Sequence, residues 1–199
     1  NVIKKYLFNY LSKFLYKNMI VSKTFTESEV EDIMRLSRNR HDAKHINIRN
    51  AGSLNKAKDD LDPKQYTAHF TGLIGEHIWA WHSNQEVDKR VFSHGDKEDF
   101  KDEEVKTVTY ISKDGKSEPE LKVPIKEFDK KNHIKKYILT WTDSRVIERI
   151  LITGKPEPIS AKILGKITRE DFQSKCVQFQ YRPGYPINYI VKASQLDQV

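Results

Sequence analysis

A single cysteine, Cys176, stands among 199 residues. The chain therefore has no intramolecular disulfide and no multi-cysteine zinc site, a usage that suits a reducing compartment. Long apolar runs are also missing: no stretch approaches the ~20 residues needed to cross a bilayer, and no signal-peptide cleavage pattern is present. The common nucleotide and hydrolase templates fail as well. Gly165-Lys166 has neither the glycine five residues earlier nor the following hydroxyl residue of a phosphate loop, and there is no GxGxxG, HExxH or GxSxG. His41 and His45 are four apart but lack a nearby third metal ligand. No internal repeat or low-complexity segment interrupts the chain.

What is abundant is charge of one sign. Lys and Arg number 35 against 28 Asp and Glu, a net charge of +7 and a pI near 9.3, which implies attraction to polyanions, nucleic acid first among them. The length suits one structural domain. Residues 1–64 are expected to form a helical, basic segment packed on a core formed by residues 65–199.

Within the first part, Val2, Ile3, Tyr6, Leu7, Tyr10, Leu11, Phe14 and Leu15 alternate with Lys4, Lys5, Lys13 and Lys17, predicting an amphipathic helix with no acid on its polar face. Such a helix serves DNA, a membrane surface, or packing against the domain or a partner copy. Thr24 and Thr26 each head a Thr-x-x-Glu capping pattern before Val30, Ile33, Met34 and Leu36, so a second helix is predicted there, ending in a basic cluster. Arg38, Arg40 and Arg49, with Lys56 and Lys58 in a polar stretch over 50–64, are candidate phosphate contacts.

Helical spacing of Phe70, Leu73, Ile74, His77, Ile78 and Trp81 predicts a third helix over 66–83. Glu76 falls on the flank of its apolar stripe. Gly72 and Gly75 beside it permit close approach of backbone or ligand.

The organising stretch is 91–110, VFSHGDKEDFKDEEVKTVTY, which reads as a tight hairpin with Lys101-Asp102 in the turn. Phe100 then pairs with Glu103, and Asp99 lies opposite Glu104. Period-two alternation puts Lys106 on the face of Glu104 and turns Val105 to the other side. Facing carboxylates destabilise a sheet unless a pKa rises or a cation intervenes, and carboxylates with water and phosphate are what Mg²⁺ accepts. Asp96 is the rival first carboxylate, requiring a bulge.

Beyond the hairpin, Ser112 to Gly115 reads as a turn, and the run through Lys136 as polar and lysine-rich. Tyr137–Thr142, Val146–Thr153 and Ala161–Ile167 read as successive strands, Arg169–Phe172 as a short helix and Tyr189–Val191 as an edge strand. Cys176 reads as a small buried apolar residue.

The order of GLIGE (Gly72 to Glu76) on a helix, EDF (Glu98 to Phe100) and EVK (Glu104 to Lys106) across a hairpin resembles the PD-(D/E)XK nuclease superfamily. ILGKITREDF (Ile163 to Phe172) is similar to the C-terminal part of phage and mobile-element members. The likeness covers roughly residues 66 to 175. Glu98 departs from the family's frequent proline, and the spacing from Asp99 to Glu104 is short.

The resemblance implies an α/β fold, a central mixed sheet flanked by helices in a restriction-endonuclease-like core, and Mg²⁺-dependent hydrolysis of DNA, with Mn²⁺ as a substitute. It implies Asp99, Glu104 and the Val105 carbonyl as metal ligands, Lys106 as the lysine and Glu76 as the helical acid. Double-stranded DNA is the expected partner, with a homodimer as an option, no membrane partner, and a cytoplasmic location, in the host if phage-encoded. The competing expectation is an inactive nucleic-acid-binding module on the same fold.

Overall fold

The computed structural model describes residues 20–50, 63–89, 99–109 and 118–199, with side chains described for 20–42 and from 66 onward in the first two segments. The predicted basic helix over 2–20, the hairpin arm over 91–98 with Asp96, the turn at 112–115, and Lys56 and Lys58 lie outside the described residues, as does the side chain of Arg49.

The chain forms a mixed α/β fold. In order, the elements are β1 (Val21–Phe25), α1 (Glu27–Asn50), α2 (Pro63–Ser83), β2 (Glu103–Val108), β3 (Glu120–Pro124), α3 (Ile125–Lys130), β4 (Lys136–Thr142), α4 (Ser144–Thr153), β5 (Ile159–Thr168), α5 (Arg169–Lys175), β6 (Val177–Gln180) and β7 (Ile187–Lys192), closed by a 3₁₀ turn at Ala193–Gln195. Four strands make the central sheet in the order β1-β5-β4-β2. The β2–β4 pair is parallel, whereas β4–β5 and β1–β5 are antiparallel. Residues 21–25, expected to lie within a helical segment, are thus a strand of the core sheet. The helix after them starts where its cap predicts: the Thr26 hydroxyl accepts from the Glu29 N–H, and the Glu29 carboxylate accepts from the Thr26 N–H. It continues through the basic cluster to Asn50 instead of ending there.

Alternation sorts the sheet into two faces. Val105, Ile138, Ala161 and Ile163 point to the side covered by α1, α2 and α4, where Val30, Ile33, Phe70, Ile74, Ile78 and Ile150 complete a first core. Tyr137, Leu139 and Ile167 point the other way, into a second core with Leu121, Val123, Phe128 and Phe172. That core is roofed by a three-stranded sheet, β3-β7-β6, which the sequence reading missed. Leu121 and Val123 alternate inward from β3, but the lysines between and around them made 113–136 look like a polar run. The strand expected at 189–191 is central in this small sheet and not an edge, because β7 pairs with both β3 and β6.

One strand expectation is overturned outright: Val146–Thr153 is helical. Its β-branched and aliphatic content suggested a strand, but its ends are helix ends. The Asp143 carboxylate accepts from the Arg145 N–H at the N-cap, and Gly154 takes a left-handed φ of 67° at the C-cap. Ile147 and Ile150, three apart, are the positions that bury.

In α2, Trp81 is 53% exposed, and Trp79 fills the core instead. Gly75 is where α2 meets the sheet. A Cβ there would lie 2.0 Å from the Thr107 hydroxyl and 2.4 Å from that of Thr140, which are hydrogen-bonded to each other at 3.0 Å. A Cβ at Gly72 meets nothing within 4 Å, so the close approach expected of both glycines belongs to Gly75. Gly75→Ala should lose stability, since overpacking of about 1–3 kcal/mol outweighs a helix-propensity gain of about 1 kcal/mol. Gly72→Ala should gain roughly that propensity term. Urea midpoints measure both, and equal shifts for the two variants would refute the contact argument.

Candidate active site

The Lys101-Asp102 turn is present. Phe100 and Glu103 exchange both backbone hydrogen bonds at 3.2 Å, and Asp102 takes a left-handed φ of 61°, a conformation Asp tolerates better than most residues. The Asp102 carbonyl accepts from the N–H groups of Lys135 and Lys136 at 2.8 and 3.2 Å, which ties the turn to the start of β4.

The pairing at Glu103 also orients the rest of β2. Glu103 directs its N–H and C=O away from β4, so Val105, two residues on, does the same. Its N–H donates to Asp99 Oδ2 at 2.7 Å, and the Val105 carbonyl faces that same edge. Asp99 is therefore held by main chain beside the strand and does not simply mirror Glu104 across a ladder.

Glu104 and Lys106 share a face, as alternation requires. Lys106 Nζ donates to Glu104 Oε1 at 2.9 Å and to Glu127 Oε1, from α3, at 2.7 Å. Lys131, just past α3, donates to both Glu104 oxygens at 3.1 and 3.0 Å. Both Glu104 and Lys131 are buried. Burial works against the Lys106 ammonium, yet Glu104 and Glu127 outweigh it and raise the lysine's pKa above its ordinary value. Burial likewise works to raise Glu127, but Lys106 and its neighbours bring that acid below its ordinary value.

Glu76 approaches from α2 and is buried, not solvated. Arg40 Nη1 donates to both of its oxygens at 3.1 Å, and Arg40 Nη2 donates to the Asp88 carbonyl at 2.6 Å. Burial, the charges of Glu104 and Asp88, and only partial relief by Arg40 leave the Glu76 pKa raised. Asp99 is pushed further: burial first, then Glu76 and Glu104, hold its pKa well above the ordinary carboxylate range, against the pull of the Val105 N–H and Lys106. The structure thus brings Glu76, Asp99, Glu104 and Lys106 into one electrostatic neighbourhood at the outermost described strand of the central sheet.

Other expectations fall differently. Arg40, read as a phosphate contact, turns inward to Glu76, whereas Arg38 is exposed on α1. Cys176 is half-buried, its thiol facing the Gln173 carbonyl and its pKa raised by burial.

Glu127 and Lys131 went unread because α3 itself did, although Glu and Lys four apart on a helix are a recognisable pair. Glu103 was missed too. Opposite in facing to Glu104, it accepts from Trp79 Nε1 at 2.8 Å, Gln85 Nε2 at 3.2 Å and the Lys136 ammonium. Those bonds outweigh burial and hold its pKa below the ordinary value.

Asp99, Glu104 and the Val105 carbonyl are hard oxygen donors on or beside β2, with Asp99 and Glu76 raised first by burial and then by neighbouring like charge. This donor chemistry fits a divalent cation. As placed, Glu104 is neutralised by two lysines, and among the described residues no group of three His, Cys, Asp or Glu side chains stands close enough to hold an ion. Among them, no helix is long and apolar enough to cross a membrane. Comparisons of the chain with protein-family models, curated proteins and solved structures found no match.

Lys131→Met should destabilise the protein by about 3–5 kcal/mol, because it removes the two-point partner of a buried carboxylate. The double variant with Glu104→Gln should recover part of that loss in urea unfolding. No recovery would show that Lys131 acts through packing alone.

The Asp99 shift has a definite sign. Because the native state keeps this proton to a higher pH than the unfolded chain, the wild type loses stability relative to Asp99→Asn as pH rises from the ordinary Asp value to the raised one. Unfolding series in EDTA from about pH 3 to pH 8 should show the variant's advantage growing and then levelling off. A constant difference would exclude the raised Asp99 pKa.

Proposed function

We propose that this protein is a Mg²⁺-dependent DNA endonuclease of the PD-(D/E)XK kind. The observation that carries the reading is the placing of Asp99, held by the Val105 N–H, beside the strand that carries the Glu104–Lys106 pair, with Glu76 near enough to act on Asp99 electrostatically. Glu76 and Glu104 have cationic partners, whereas the buried Asp99 carboxylate meets a backbone N–H, and a cation would relieve it. The excess of basic residues in the chain supports a polyanionic substrate.

In this reading Asp99, Glu104 and the Val105 carbonyl would hold the ion. When bound, it supplies Lewis acidity at a phosphoryl oxygen and lowers the pKa of a coordinated water. The Lys131 and Lys106 ammoniums neutralise Glu104, and an ion held there would compete with them. Lys106, kept protonated by its surroundings, acts as a fixed positive charge that orients water or offsets charge developing on the phosphorus oxygens. Glu76, clamped by Arg40, positions water or a second ion.

A second reading is favoured by one feature. Glu104 and Glu76 already have cationic partners on both of their oxygens, so the same cluster suits a nucleic-acid-binding module that performs no hydrolysis. The two readings separate cleanly on a supercoiled plasmid. Nicking should require Mg²⁺ or Mn²⁺ and stop in EDTA, and Lys106→Gln should lower the rate on the order of 10²–10³-fold. Mg²⁺ should also raise the melting temperature of the wild type more than that of Asp99→Asn, by up to about 2.7 kcal/mol of stabilisation at a hundredfold excess over Kd. Salt-sensitive binding without nicking under any divalent ion would establish the binding module and end the endonuclease reading.

A further inference from the structure

On the face carrying Glu104, a groove of about 770 Å³ runs between α3 and the hairpin formed by β6 and β7, a size within the usual range for a small-molecule site. Pro124 and Ile125 line one side and Tyr185, Pro186 and Ile187 the other, while Lys126 and Lys130 are exposed along the rim. Glu127 and Lys131 also line it, and these are the residues that reach Lys106 and Glu104. The groove and the candidate site therefore share two side chains.

The hairpin beside it is unusual for a surface. Of the eight large apolar side chains exposed among the described residues, five lie between Val177 and Ile187: Val177, Phe179, Tyr181, Tyr185 and Ile187. The β6–β7 register puts Val177 and Phe179 on the face opposite Ile187, so Tyr185 and Ile187 are the two that belong to the groove. The hairpin, VQFQYRPGYPI, contains no acid. Its cation, Arg182, stacks on the Tyr185 ring at 4.4 Å and hydrogen-bonds to the Tyr185 hydroxyl.

We infer that this groove takes unpaired nucleotides of the substrate strand, so that the preferred DNA carries a single-stranded tail or gap next to duplex. The Tyr185 ring and the aliphatic walls accept the π-face of any base, and lysines at the rim meet the phosphates, which is the combination that binds single strands without reading sequence. A nucleotide strand brings a phosphate at every residue for the lysine rim, which an apolar peptide segment does not. The inference rests on the proposed function for the placement of a phosphodiester at Glu104 and Lys106.

The test is fluorescence anisotropy in EDTA, so that cleavage plays no part. The probes are a labelled blunt duplex and the same duplex with a single-stranded tail of about six nucleotides. The wild type should bind the tailed DNA on the order of ten-fold more tightly, and Tyr185→Ala combined with Ile187→Ser should remove that preference while leaving blunt-duplex affinity intact. Both positions are exposed, and an unchanged urea midpoint verifies folding. Equal affinity of the wild type for both probes, or an undiminished preference in the variant, overturns the inference. So does a change of oligomeric state by light scattering with no change in tailed-DNA binding, which would make the groove wall an interface between copies.

The two ideas fail separately. Tail preference without nicking keeps the groove and ends the endonuclease reading, and nicking without tail preference does the reverse.

Discussion

Glu104 is almost sealed from water, and a carboxylate so placed must be met by cations. Lys131 meets both of its oxygens and Lys106 one of them. Much of the architecture on that side of the sheet follows from this. Strand β3 and helix α3 have to cross from the end of β2 so that Lys131 and Glu127 arrive over the strand, and β4 then returns parallel to β2. The second core under the small sheet holds α3 in place through Phe128, which packs on Tyr137 and Phe172. Arg169 adds to this by stacking on the Phe128 ring and donating to the Phe128 and Lys131 carbonyls.

The opposite face answers a different demand. There the Gly75 position of α2 lies against the Thr107–Thr140 pair, and that close seat carries Glu76 inward, where Arg40 reaches it from α1. Glu103, one residue from Glu104 but on this other face, is satisfied by Trp79 and Lys136. Two adjacent glutamates thus have separate counterions on separate sides. Asp99 has a backbone N–H and no cation as its hydrogen-bond partner, so burial, with the charges of Glu76 and Glu104, leaves its pKa the most strongly raised of these acids.

Several of these features were legible in the sequence because they depend on local rules. Residue alternation alone places Glu104 with Lys106 and Val105 against them. The Lys101-Asp102 reversal, the Thr26 cap, the helix over 66–83 and the strands at 137–142 and 161–167 are likewise short-range patterns. The failures have equally physical causes. The segment at 146–153 has strand composition, but its ends carry a capping Asp and a left-handed Gly. Strand β3 hides two core residues among lysines. Arg40 read as a phosphate contact and not as the partner of Glu76, because neither shows, within its own helix, that the other is waiting across a packed interface.

The sequence by itself determined the charge balance, the alternation that pairs Glu104 with Lys106, and the turn that returns Asp99 to the strand, since each depends on residues within a few positions of one another. Only the tertiary structure decided that Arg40 guards Glu76, that Lys131 and Glu127 close over Glu104, and that an aromatic hairpin flanks the same cluster. Those partners are separated by 21 to 36 positions or more along the chain. They meet only because burying two apolar faces of one sheet forces their elements together, and buried charge then selects which neighbours must be ions.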